Sequence, residues 1–144
     1  MKGLNLRSQT DGRIVRTQFA FGPEHVGFKQ TVHGGLTATL LDEIMTWACA
    51  VQAKHFAYCA ELNVRYLLPV RPGVAIVATA ELVANRRGRI FETKAEMRDL
   101  AGPVLATATG KYLPLKATES AKMADDFLGD VGSLLEPNAS TKPG

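Results

Sequence analysis

Several things are scarce in this chain, and each absence narrows what it is. No apolar run approaches the roughly 20 residues that a helix needs to span a bilayer. The opening Met1-Lys2-Gly3-Leu4-Asn5-Leu6-Arg7 lacks the apolar stretch of a secretory signal, which predicts a cytoplasmic protein with no membrane partner. Cysteine is rare. The two present, Cys49 and Cys59, fall in a predicted helix and a predicted strand and read as reduced, half-buried thiols. No His, Cys or carboxylate cluster has the spacing of a metal site, so no metal is expected. The charge imbalance is slight, 17 Lys and Arg against 14 Asp and Glu, for a formal net charge of +3. That suits an anionic small molecule and falls short of the concentrated basic face a nucleic acid requires.

What is present is enough for one core. At 144 residues, 46% apolar and 22% charged, the composition is that of a single soluble domain. Its most informative stretch is His33-Gly34-Gly35 followed by a Gly- and Pro-free segment that should be helical to about Ala53. Apolar residues at 36, 40, 41, 44, 45, 47, 48 and 51 leave this helix almost no polar face, so it is buried on several sides. Yet it carries Asp42 and Glu43 near its start. Carboxylates are rarely buried unless paired or put to use.

Around that helix the pattern is one of strands. Residues 1–12 read as a frayed lead-in, and 13–21 as a strand with Val15, Thr17, Phe19 and Phe21 on one face. A loop carrying His25 leads to His33. After the helix, strands are expected over 58–68, 74–85, 90–100 and 104–113. In the first of these Leu62, Val64 and Tyr66 oppose Glu61, Asn63 and Arg65. In the third the odd-numbered face, Phe91 to Met97, is the apolar one. Arg86-Arg87-Gly88-Arg89 is a basic hairpin turn whose Gly supplies a positive φ. One strand, a buried helix and four strands at meander spacing predict an α+β domain, an antiparallel sheet curled around a central helix. One open sheet edge is expected to pair with a second copy. Beyond residue 116 a weak helix over 123–135 and a polar tail are expected, which sets the domain at 1–116 and the tail at 117–144.

Paired glycines ahead of a helix allow a sharp turn and let a ligand approach the first N–H groups, which carry the positive end of the helix dipole. Such amides can polarise a carbonyl. Asp42 lies two turns further on and cannot reach the same atom within its own chain. Between two subunits it can face the Gly34 amide of the other copy. Thr46, at i+4 from Asp42, shares its face and could hold a water. A salt bridge from Asp42 to Arg65 at a dimer interface is the competing explanation, and residue type leaves the two open. His33 could donate to substrate or cap the turn. Trp47, Met45, Phe28, Phe56 and Tyr58 could line an apolar pocket or pack the core.

On these residues the chain resembles the hotdog-fold acyl-CoA thioesterases of the phenylacetate-degradation (PaaI-like) branch. The likeness rests on His33-Gly34-Gly35 with Leu40-Leu41-Asp42-Glu43, on Ala60-Glu61-Leu62-Asn63-Val64-Arg65-Tyr66 with Pro69, and on Pro72-Gly73. Gly88-Arg89 and the Arg98-Asp99-Leu100-Ala101-Gly102 turn extend it, to roughly residues 13–114 in all. The resemblance implies a dimer or tetramer with sites at subunit interfaces, an acyl-CoA substrate and no separate cofactor, CoA being part of the substrate. It implies that Asp42 activates water or attacks the thioester, that the Gly34 N–H polarises the carbonyl, and that His33 and Thr46 assist. Gly35, His25, Cys59 and Asn63 would line the substrate, and Arg86, Arg87 and Arg89 would meet the CoA phosphates. The chain departs from the pattern at Gly27, where many relatives carry Asn or Gln, and at Cys59, where relatives often have Ser or Thr. These departures keep a non-catalytic acyl-CoA binding module on the same fold as the alternative. A hydratase of the wider group is disfavoured, because those sites usually pair a catalytic His with a carboxylate in other motifs.

Overall fold

The computed structural model describes residues 8–25 and 31–115. The helix expected to be enclosed is enclosed. α1 runs Gly34–Ala53, and Leu40, Leu41, Ile44, Met45, Ala48 and Cys49 along it are fully buried. Each large apolar side chain so placed contributes about 1.5–3 kcal/mol. Lys54 ends the helix in the left-handed region (φ 58°).

Six strands among the described residues form one antiparallel sheet: β1 (Ser8–Thr10), β2 (Ile14–Phe19), β3 (Ala57–Tyr66), β4 (Ile76–Arg86), β5 (Ile90–Asp99) and β6 (Val104–Pro114). Their order is β1-β2-β4-β5-β6-β3, and the sheet wraps the helix as expected of an α+β hotdog architecture. Its inner face is lined by small side chains, Ala78, Ala80, Ala95, Ala106, Ala108 and Gly110, all buried. Small residues there leave room for the bulky ones of the helix, so the two layers interdigitate. The faces read from sequence hold: Val15 and Thr17 are buried on β2 and Phe21 just beyond it, and Phe91, Thr93, Ala95 and Met97 on β5.

One element differs from expectation. Residues 8–10, read as frayed, pair with β2 through Ser8↔Thr17 and Thr10↔Val15. The connecting turn is locally determined: Asp11 Oδ1 accepts from the N–H groups of Arg13 and Ile14, each at 2.8 Å, and Gly12 takes φ 94°. Hydrophobic periodicity cannot signal a three-residue polar strand. The weak helix over 123–135 and the tail from residue 117 lie outside the described residues.

Two register features position the site. Cys59, Tyr112, Phe91 and Asn85 form one row across β3, β6, β5 and β4. A bulge between Cys59 and Glu61 then reverses the alternation of β3. It lets Cys59 face inward although Leu62 and Val64 further along face inward too. Tyr66, at the other end of β3, belongs to a different row with Ala106, Met97 and Ala78. The rows mark opposite ends of the sheet.

Gly110 makes the space that Tyr112 occupies. A Cβ there would stand 2.7 Å from Cε1 of the Tyr112 ring and 3.4 Å from the Glu61 carbonyl. Gly110→Ala is therefore expected to cost about 1–3 kcal/mol by overpacking. Gly102→Ala, where nothing lies within 4 Å, should stay within about 0.5 kcal/mol of wild type. Urea unfolding of the two variants checks both.

Candidate active site

The site begins at the start of α1, where the first amides of a helix have no partner within it. His33 is the N-cap, and its backbone at φ −57°, ψ 132° is extended. Its Nδ1 accepts the Gly35 N–H at 3.0 Å, and its carbonyl accepts from Leu36 at 2.9 Å and Thr37 at 3.4 Å. Among the described residues that leaves the Gly34 N–H as the first-turn amide without an acceptor. With Nδ1 accepting, the imidazole proton sits on Nε2.

The glycines do this differently from the expectation. They do not form a turn ahead of the helix; they are its first two residues, and neither has a positive φ. What Gly35 provides is room, since a Cβ there would meet His33 Nδ1 at 3.1 Å and hinder the imidazole from folding back over the amide. Tyr66, half exposed, donates its hydroxyl to the Gly34 carbonyl at 2.7 Å and ties the helix start to the end of β3.

Asp42 lies eight residues on, about 12 Å along the helix axis. It is half-buried, and its Oδ1 accepts the hydroxyl of Tyr112 at 2.5 Å. The Asp42 carbonyl accepts Thr46 Oγ1 at 3.0 Å and lies 3.2 Å from the Tyr112 hydroxyl. Thr46 shares the Asp42 face as expected, but its proton is committed to the helix backbone. Within the described chain Asp42 makes no ion pair with Arg65; its partner is a neutral phenol.

Tyr112 was not among the residues singled out from sequence. A signal existed: it shares the parity of Ala106, Ala108 and Gly110 on a strand with a small-residue inner face, and a buried Tyr hydroxyl needs a partner. Burial, and then the Asp42 carboxylate, push the Tyr112 phenol well above the ordinary range, so it stays a donor. Cys59, its register partner, completes the cluster. Its thiol is raised first by burial and then by Asp42.

The remaining expected residues divide. Asn63 and Arg65 are exposed on the outer face of the sheet, in a groove of about 710 Å³ with Thr79, Lys94, Glu96 and Thr107. Neither lies with Asp42; Asn63 Nδ2 instead donates to Glu61 at 3.2 Å. The basic hairpin has Arg87 at φ 58° and Gly88 at φ 70°, and all three of its arginines are exposed. Arg86 is ion-paired with Glu92. The turn adjoins Asn85, hence the Cys59–Tyr112 row, at the end of the sheet where Asp42 sits. His25 closes a short 3-10 turn, Pro23–His25, while its side chain, Gly27 and Phe28 lie outside the described residues. Met45 and Phe56 are core, Trp47 packs edge-on to Phe56 at 6.2 Å, and Tyr58 is exposed. No group of three or more His, Cys, Asp or Glu that could hold a metal occurs among the described residues. Nor is any helix there long and apolar enough to cross a membrane.

A half-buried carboxylate and a helix-start amide without an acceptor among the described residues are groups that acyl transfer can use. The thioesterase superfamily profile matches residues 29–106, more than half of the chain, and the chain belongs to that family. Its fold is shared by the Escherichia coli PaaI protein from the phenylacetic acid degradation operon. The TM-score is 0.71 at 19% identity, over 78% of this chain and 81% of that one. In sequence it is similar to human acyl-coenzyme A thioesterase 13, 28% identical over 104 residues, which are 72% of this chain and 74% of that protein. A Caenorhabditis elegans protein named as an esterase is 41% identical over 76 residues, 52% of this chain. That match spans 44% of the relative's own length. The family match bears out the resemblance drawn from the motifs.

The two thiols give a pH test of the burial. Burial, with Cys59 nearby, pushes Cys49 from 9.0 up to about 12, and Cys59 is raised as well. At pH 8 iodoacetamide should alkylate Cys49 at less than about a tenth of the rate in the unfolded chain, and Cys59 more slowly than in the unfolded chain, because the thiolate is the reacting form. By linkage this contribution to stability is intact below 9.0 and is lost as the pH climbs toward 12. Alkylation rates followed by mass spectrometry check the first point, and urea unfolding across that pH range checks the second.

Proposed function

We propose that this chain is an acyl-CoA thioesterase of the PaaI-like kind, hydrolysing an acyl-CoA to a free acid and CoA at a site shared by two copies. The observation that carries the reading is the pairing of two incomplete halves. Among the described residues the Gly34 N–H lacks an acceptor at one end of the sheet, and Asp42 stands beside Cys59 and Tyr112 at the other. Among them too, β3 is an edge strand of ten residues with one side unpaired. Such an edge is a template for another strand. If two β3 strands pair antiparallel about a two-fold axis, the Tyr66 end of one copy lies against the Cys59 end of the other. The partner's Gly34 amide, tied to its own Tyr66, then approaches Asp42.

In that site Asp42 takes a proton from water as the water oxygen attacks the thioester carbon. The Gly34 N–H of the facing copy, at the positive end of its helix, holds the oxyanion. Collapse breaks the carbon–sulfur bond, and the CoA sulfur leaves with the proton. Direct attack by Asp42, giving a mixed anhydride that water then opens, uses the same groups; ¹⁸O in Asp42 after a single turnover in ¹⁸O-water identifies such an anhydride opened at the Asp42 carbonyl carbon. Arg87 and Arg89, exposed at the end of the sheet where Asp42 sits, are the cations for the CoA phosphates.

Free-thiol release from a panel of short, medium, long-chain and aryl acyl-CoAs is the first test. Activity should be present and should fall about 10²–10⁴-fold in Asp42→Asn. Tight acyl-CoA binding with no release from any substrate would instead establish the binding module. The shared site has its own test. Gly34→Pro deletes the N–H at a first helical position where proline fits, after a residue already extended. It should lower kcat about 10²–10³-fold. Mixing Gly34→Pro with Asp42→Asn should restore activity, up to about a quarter of wild type for random dimers, because each mixed dimer holds one intact pair. A site within one chain gives no restoration.

A further inference from the structure

We infer that Tyr112 is a positioning residue for the reaction: its hydroxyl fixes the orientation of the Asp42 carboxylate so that one oxygen is held and the other is turned toward the water or thioester. This inference rests on the thioesterase reading above. Four observations carry it. The Tyr112 hydroxyl reaches Asp42 Oδ1 at 2.5 Å, and the other side chain that interacts with this carboxylate is the weakly donating Cys59 thiol. The hydroxyl's single proton goes to the carboxylate, the nearest acceptor, rather than to the Asp42 carbonyl at 3.2 Å or the weakly accepting Cys59 sulfur. The ring cannot swing away, since Tyr112 is fully buried beside Phe91 in the sheet row and fills the space left by Gly110. The donor is also uncharged. An arginine in its place would hold the carboxylate as an ion pair and lower its basicity, whereas a phenol orients it with one bond and leaves its full charge for the reaction.

The Cys59 thiol shares the cluster. Its ionisation is shifted upward, so it adds no charge near neutral pH that would compete for the phenol's proton.

Tyr112→Phe keeps the ring and removes only the hydroxyl. With wild type active on an acyl-CoA, the variant should fold with an unchanged circular dichroism spectrum and bind acyl-CoA with KM within about 3-fold. Its kcat should fall about 10–10²-fold, the scale on which misplacement of a catalytic group is felt. Site-specific 4-fluorophenylalanine at 112, which fills the place of the hydroxyl without a proton to donate, should show the same fall in kcat. This second variant decides the matter should Tyr112→Phe fail to fold. A fall in kcat with KM held establishes the positioning role. An active wild type whose kcat is untouched by the change overturns it and leaves the thioesterase reading standing. A wild type that releases no CoA from any substrate overturns both.

Discussion

Everything in this structure follows from putting a carboxylate halfway along a helix that a sheet encloses. The helix is held by apolar contact on nearly every side, against a sheet face kept small by Ala78, Ala80, Ala95, Ala106 and Ala108. In such surroundings a polar group must find partners nearby or it destabilises the fold. Asp42 finds a phenol and Thr46 satisfies its carbonyl, so the carboxyl group has a neutral hydrogen-bond partner rather than a countercharge. In the proposed site, stability and chemistry meet at that same hydrogen bond.

The helix start obeys the same rule with the opposite result. Three of its first four amides are taken up by His33, two by its carbonyl and that of Gly35 by an imidazole that folds back because Gly35 has no Cβ. The amide left over is at Gly34, where the helix dipole favours an oxyanion. Because α1 runs from the Tyr66 end of β3 toward its Cys59 end, amide and carboxylate of one chain stand about 12 Å apart along the helix axis. In the proposed two-copy site the edge of β3, unpaired on one side among the described residues, is the geometric means of bringing them together.

Much of this was legible before any coordinates. The helix and its end at Ala53, the alternation of β2 and β5, the basic turn and the placement of Asp42 on an enclosed helix all follow from periodicity and residue type, which report burial directly. What was missed has physical causes. The strand Ser8–Thr10 is short and polar, so its pairing comes from backbone bonds and the Asp11 turn rather than from a pattern. The His-Gly-Gly segment reads as a turn by composition, yet its glycines sit inside the helix for reasons of space. Tyr112 lies 70 residues from the carboxylate it holds, and no local signal can announce such a partner.

The sequence by itself determined the class of the fold, because the period of apolar residues decides which faces must leave water. It also supplied the two groups with chemistry to offer, the Gly34 amide and the Asp42 carboxylate, and the family that joins them. Only the tertiary structure decided who their neighbours are. A single bulge between Cys59 and Glu61 turns Cys59 inward while Asn63 stays on the outer face, and the register of β3, β6 and β5 sets Tyr112 between Cys59 and Phe91. Register is a property of strands paired across the whole chain, and a shift of one residue exchanges inner and outer faces. That is why the residues of the site could be named from sequence while the bond that holds Asp42 could not.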